Sequence, residues 1–168
     1  KFALCAPTID IGNHWLRLSA EQGHPDAQCL LGFALYMGYS GDEENREDGY
    51  IEGKYWLVEA AKNGNEGAMM ELGKIFMNGD LSNEGKIDVV SALEYYNKAA
   101  LRENEDAIES IAEIYFRGGN YYGDNRVKKD WNQAINWYSR LYSGNAHFQM
   151  GEIYFEGGNG VTRDLMKA

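Results

Sequence analysis

The strongest constraint on this chain is a pattern that returns about every forty residues. Four segments align without gaps: Ala27 to Gly38, Ala68 to Gly79, Ala107 to Gly118 and Ala146 to Gly157. Four positions after the opening alanine stand Leu31, Leu72, Ile111 and Met150, each followed by a small residue: Gly32, Gly73, Ala112 and Gly151. Leu35, Phe76, Tyr115 and Tyr154 come next on the same spacing, and a glycine closes each segment. Apolar residues at this spacing share one helix face, and a glycine is where a helix stops. This is the A-type helix.

Between these segments lies a B-type helix. Trp15, Trp56, Tyr95 and Trp137 are followed by Ser19-Ala20, Ala60-Ala61, Ala99-Ala100 and Leu141-Tyr142. Three of these helices run on to Gly23, Gly64 and Gly144, while the other has Glu103-Asn104 at that point. Asp88 and Asp130 stand where an acidic side chain caps a helix start. Two helices per unit and a fixed period predict an all-α, right-handed superhelix of stacked antiparallel pairs, each burying its faces on its neighbours. A mid-helix glycine costs about 1 kcal/mol relative to alanine. Its return at Gly32, Gly73 and Gly151 therefore predicts close helix–helix approach, with the residues of the Trp15 register filling the space beside it.

These residues resemble the Sel-one-like repeat (SLR) family, a relative of tetratricopeptide repeats. The likeness is carried by the A and B patterns together and by the linker Ala20-Glu21-Gln22-Gly23-His24-Pro25-Asp26-Ala27-Gln28. Gly158-Asn159-Gly160-Val161, then Asp164, Lys167 and Ala168, match the loop and the start of a further B-type helix. The resemblance covers residues 8 to 168 and implies a protein-binding scaffold, adaptor or inhibitor without shared catalytic residues. A bacterial immunity protein covering a basic toxin is one form of it. Cysteine-rich relatives carry a cysteine pair in each repeat, which this chain, with only Cys5 and Cys29, does not.

The chain is expected to be one solenoid domain over residues 1–168, with A-type helices beginning near residues 27, 68, 107 and 146. It starts on an unpaired B-type helix and ends one turn into another, the pattern of a fragment or of ends that pair with a second copy. Lys plus Arg total 16 against 26 Asp plus Glu, a net charge of −10. That balance excludes a nucleic-acid backbone or an anionic bilayer as partner and favours a protein with a basic surface. No run of about 18 apolar residues marks a membrane span.

Chemistry is sparse. His14, His24 and His147 have no second ligand at metal spacing, and no nucleophile, dinucleotide or phosphate-loop motif is present. The stretch Asp80-Leu81-Ser82-Asn83-Glu84-Gly85 opens like a calcium loop but has Ser91 where a bidentate glutamate is needed. No enzyme, cofactor or metal is expected; a hydrolase acting on cell-wall material and a structural spacer in a larger protein are the other readings. Partner contact is expected at Tyr36, Met77, Phe116 and Phe155, one register shared by the four A-type helices, for which inter-repeat core is the plainer reading. It is also expected in two long loops, at Tyr39, Asp42, Glu43 and Glu44 and at Tyr121 and Tyr122, rich in the residue types of adaptable recognition surfaces.

Overall fold

A computed structural model describes residues 6–39, 46–81 and 84–168. Among them are eight α-helices and no strand: α1 (Ala6–Glu21), α2 (Pro25–Tyr36), α3 (Arg46–Lys62), α4 (Glu66–Asn78), α5 (Val89–Ala100), α6 (Glu105–Arg117), α7 (Trp131–Tyr138) and α8 (Gly144–Glu156), with a short 3-10 helix at Gly119–Tyr122. None of the described helices is long and apolar enough to cross a membrane. The chain divides into two compact units, Lys1–Lys86 and Ile87–Ala168. In each unit, every helix packs on its neighbours in the chain.

Tight turns convert B-type into A-type helices. Gly23 and Gly64 both take left-handed backbone at φ 86°. The following amides reach back, His24 to the Ser19 carbonyl at 3.2 Å and Asn65 to that of Ala60 at 2.9 Å. These paired bonds satisfy carbonyls that a helix end leaves open. Glu103 does the same work at φ 62° without being glycine, and Asn104 closes the turn on the Ala99 carbonyl. Asn65 and Asn104 then cap α4 and α6, their side-chain oxygens accepting from Ala68 and Ala107 at 2.8 Å. Ser143 caps α8 in the same way. The expected caps Asp88 and Asp130 accept from Ser91 and Gln133 at 3.0 Å.

Two expectations are corrected. Gly144 does not end a B-type helix: α7 stops at Tyr138, and Gly144 is the first residue of α8, because Ser143 is the cap. The acidic loop, expected from the sequence to run from Tyr39 to Tyr50, ends sooner. The α3 helix begins at Arg46, with Glu47 and Asp48 in its first turn, where carboxylates oppose the positive helix end.

The close approach predicted from the glycines is present, but its partner differs. A Cβ on Gly32 would lie 2.8 Å from the Gly53 carbonyl oxygen and from the Leu57 nitrogen. A Cβ on Gly53 would lie 2.5 Å from the Tyr36 nitrogen and 2.7 Å from the Gly32 oxygen. The crossing of α2 and α3 is thus backbone on backbone. It is made by a small residue on each helix rather than by an aromatic beside a glycine. The B-type helices carry that residue three positions before their aromatic: Gly12, Gly53, Ala92 and Ala134. In the second unit Ala112 and Ala134, on the adjacent helices α6 and α7, are both fully buried.

Substitution should separate the two kinds of glycine. Gly53→Ala meets backbone that cannot yield and should cost about 1–3 kcal/mol by denaturant unfolding. Gly12→Ala meets nothing within 4 Å and should be neutral or gain up to about 1 kcal/mol from helix propensity. Glu103→Gly should also stabilise, by about 1 kcal/mol, because it removes the left-handed penalty on a residue with a Cβ.

Candidate interaction groove

Within the second unit, α6 and α8 border a groove of about 530 Å³. Asp106, Glu109, Ser110, Glu113 and Arg117 line it from α6, at the three- and four-residue spacing that places them on one helix face. Asn145 and Gln149, one turn apart, line it from α8. The opposite face of α6 carries Ala107, Ile108, Ile111, Ala112 and Ile114 into the core. This apolar packing orients the acidic row outward.

The groove side chains are held in place. Asn145 donates its amide to Glu109, and Arg117 donates Nε–H to Glu113. Beneath them the fully buried Tyr138 donates its hydroxyl to Glu113 at 2.9 Å. Burial and the facing Glu113 raise the Tyr138 pKa, so the phenol stays a donor. The Gln149 side-chain oxygen is buried and accepts no hydrogen bond from the described residues. At the far end the Arg117 guanidinium lies 4.6 Å from the Tyr121 ring centre, and Tyr121 meets Tyr122 edge-on at 5.0 Å. Burial, with Glu113 nearby, pushes the Tyr122 phenol up to about 12.

The loop carrying these tyrosines is fixed by a buried carboxylate. Asp124, 6% exposed, accepts from the Val89 amide at 3.0 Å and from the Arg126 amide and guanidinium. Arg126 also donates to Asp88, the cap of α5. Hydrogen bonds from Arg126, foremost, and from the Val89 amide hold the Asp124 pKa down at about 2, against its burial. In the first unit the buried Asp80 pairs with Lys54.

The residues expected at a partner surface occupy several settings. Tyr36 is 5% exposed; its hydroxyl accepts from the Leu81 amide at 2.9 Å and its ring packs on Tyr50. Met77 is half-buried. Phe116 is half-buried and stacks on Trp131, with the Lys129 ammonium over both rings. Phe155 is 57% exposed, with Arg163 beside its ring. Tyr39 and Tyr121 are exposed, and Tyr122 is half-buried. Asp42, Glu43 and Glu44 lie outside the described residues. Of these positions, Tyr121 and Tyr122 are brought to the groove, through Arg117. The groove's own acids escape a reading of sequence alone because 26 acidic residues offer many such pairs. Their helical spacing opposite an apolar face is the signal that marks them.

The Sel1 repeat model matches residues 9–24, 25–65, 67–104, 112–145 and 144–168. Among solved structures, the chain is similar to a protective antigen of uropathogenic Escherichia coli strains that displays an SLR fold. The two share 28% identity at a TM-score of 0.69, over 92% of this chain and 31% of that one. It is also similar to a Sel1 repeat protein from Oxalobacter formigenes, with 27% identity at a TM-score of 0.61, over 85% of this chain and 52% of that one. The chain thus spans about a third of the first relative's length and about half of the second's. No curated protein sequence matches it. The chain belongs to the Sel1-repeat family.

Acid should loosen the Asp124 loop before it unfolds the helices. A carboxylate whose folded pKa is depressed contributes stability above its ordinary value, and that contribution is lost as pH falls towards the folded pKa. Amide exchange at Val89 and in the 119–127 loop should therefore rise between about pH 4 and about pH 2. Asp124→Ala should abolish that step and cost about 1–3 kcal/mol at neutral pH, because the buried Val89 amide loses its acceptor.

Proposed function

We propose that this Sel1-repeat chain is a non-enzymatic protein-binding module whose α6–α8 groove takes an extended, basic segment of its partner. Family membership supports protein interaction as the general role. The finer reading rests on one observation: three carboxylates of α6 share an open groove with one guanidinium, which Glu113 already engages. Lysine or arginine side chains of an extended segment would pair with Asp106 and Glu109. Asn145 and Gln149 are amides, able both to donate to and to accept from a peptide backbone.

Around this contact, Tyr121 and Tyr122 offer rigid aromatic surface at the Arg117 end, and Phe155 offers an exposed ring on α8. Tyr39 and the neighbouring Met37 provide a separate exposed apolar surface in the first unit. The net charge of −10 would steer a basic partner towards the chain. Such a module serves as a scaffold, an adaptor or an inhibitor according to what the bound segment does in its own protein.

Fluorescence anisotropy with labelled extended peptides of graded charge tests this reading. Lysine- and arginine-bearing peptides should bind, and neutral or acidic ones of equal length should not. Raising salt from 50 to 300 mM should weaken binding several-fold. The Asp106→Lys/Glu109→Lys double variant, folded by circular dichroism, should lose at least about tenfold in affinity, about 1.4 kcal/mol. Equal binding of all peptides, or an unchanged double variant, would refute the groove as the site.

A further inference from the structure

At one end of the α6–α8 groove the chain already binds a guanidinium, and it is its own. Arg117, in the last turn of α6, donates Nε–H to the carboxylate of Glu113, four residues earlier. Its guanidinium carbon lies 4.6 Å from the centre of the Tyr121 ring. A carboxylate at the N–H edge and an aromatic ring against the flat face are the contacts that suit a guanidinium best. An ammonium has neither the plane to stack nor the fork to pair.

This seat is built independently of its occupant. Arg117 takes one oxygen of Glu113, while the Tyr138 hydroxyl holds the other from beneath at 2.9 Å. Tyr121 is set by its edge-on contact with the half-buried Tyr122 and by the loop that Asp124 anchors to the Val89 amide. The occupant is held more lightly. Arg117 is exposed, and a solvent-facing ion pair one helical turn apart is among the weakest that proteins make. If Arg117 swung away, Glu113 would stay in its row with Asp106 and Glu109, with the Tyr121 ring still beside it.

We propose that Arg117 is an internal stand-in for an arginine of the bound segment, which displaces it from Glu113 and Tyr121. The inference rests on the groove reading above and names the residue that the segment must carry. Over Asp106 and Glu109 either basic residue serves; at the Tyr121 end it has to be arginine. The exchange replaces one guanidinium by another, so Glu113 keeps a partner throughout. A segment without arginine leaves Arg117 seated and gains nothing at this end. Because the seat is open for only part of the time, the stand-in weakens binding of a matching segment by about two- to fivefold, as expected for a weak pair.

Fluorescence anisotropy with two extended peptides of equal length and charge, one built with arginine and one with lysine, tests the exchange. Its readout is the ratio of the two affinities, which a uniform change in the chain's charge does not move. The unaltered chain should prefer the arginine peptide. Arg117→Met should raise that preference by a further factor of about two to five, and Tyr121→Leu should bring it close to equality. Both variants alter exposed side chains, and circular dichroism checks that they fold. In the unaltered chain, saturation with the arginine peptide should release the Arg117 Nε–H to fast exchange with water, seen by NMR, while the lysine peptide should leave it bonded. An affinity ratio indifferent to Arg117→Met and Tyr121→Leu would overturn the exchange but leave the groove a site for basic segments. So would an Arg117 Nε–H that stays protected in the arginine complex. If neither peptide binds any of the three chains, the groove reading falls and this inference falls with it.

Discussion

The contact on which the rest depends is the approach of two helix backbones at Gly32 and Gly53. Side chains normally hold helix axes 8–10 Å apart. Where neither helix has a Cβ at the crossing, carbonyl oxygens and Cα atoms meet directly, and the flanking residues Leu31, Leu35 and Leu57 close into a core with almost no exposure. In the second unit the residues at these two registers, Ala112 on α6 and Ala134 on α7, are both fully buried. A glycine in mid-helix is unfavourable by itself. Here it is offset by dispersion contacts along the whole crossing, which a larger residue would prise apart.

Much of this architecture is legible in the sequence because a repeat shows the same decision several times. The A-type helices, their glycine stops and the caps Asp88 and Asp130 follow from spacing alone. The other half of the crossing is harder to see: Gly12, Gly53, Ala92 and Ala134 form a small-residue register, but the aromatic three positions later dominates the pattern. Gly144 misleads because glycine tolerates both a helix stop and a first helical turn. Ser143, one residue earlier, decides between them by accepting from the Ala146 amide.

The groove shows where one sequence stops being informative. The polar face of α6 is legible as solvent-facing, yet nothing local says that α8 brings Asn145 beside Glu109. That depends on α7 packing between repeats and on Tyr138 reaching Glu113 from below. Asp124 is similar. It reads as one acid among many until the fold places the Val89 amide and Arg126 around it, after which its charge is required rather than merely tolerated.

The loops after α6 and α8 close on a common frame. Gly119 donates its amide to the Val127 carbonyl, as Gly158 does to that of Val161. Asp130 and Asp164 then donate to the carbonyls of Tyr115 and Tyr154, which hold the same position in their helices. One loop is five residues longer than the other between these anchor pairs, yet both deliver the chain to the same place on the preceding helix. Length inside the frame thus varies without moving the point of re-entry, while Asp124 and Arg126 tie the longer loop to the start of α5. A loop of new length would therefore leave the helical stack in place, but one that lost Asp124 would leave the first turn of α5 without its acceptor.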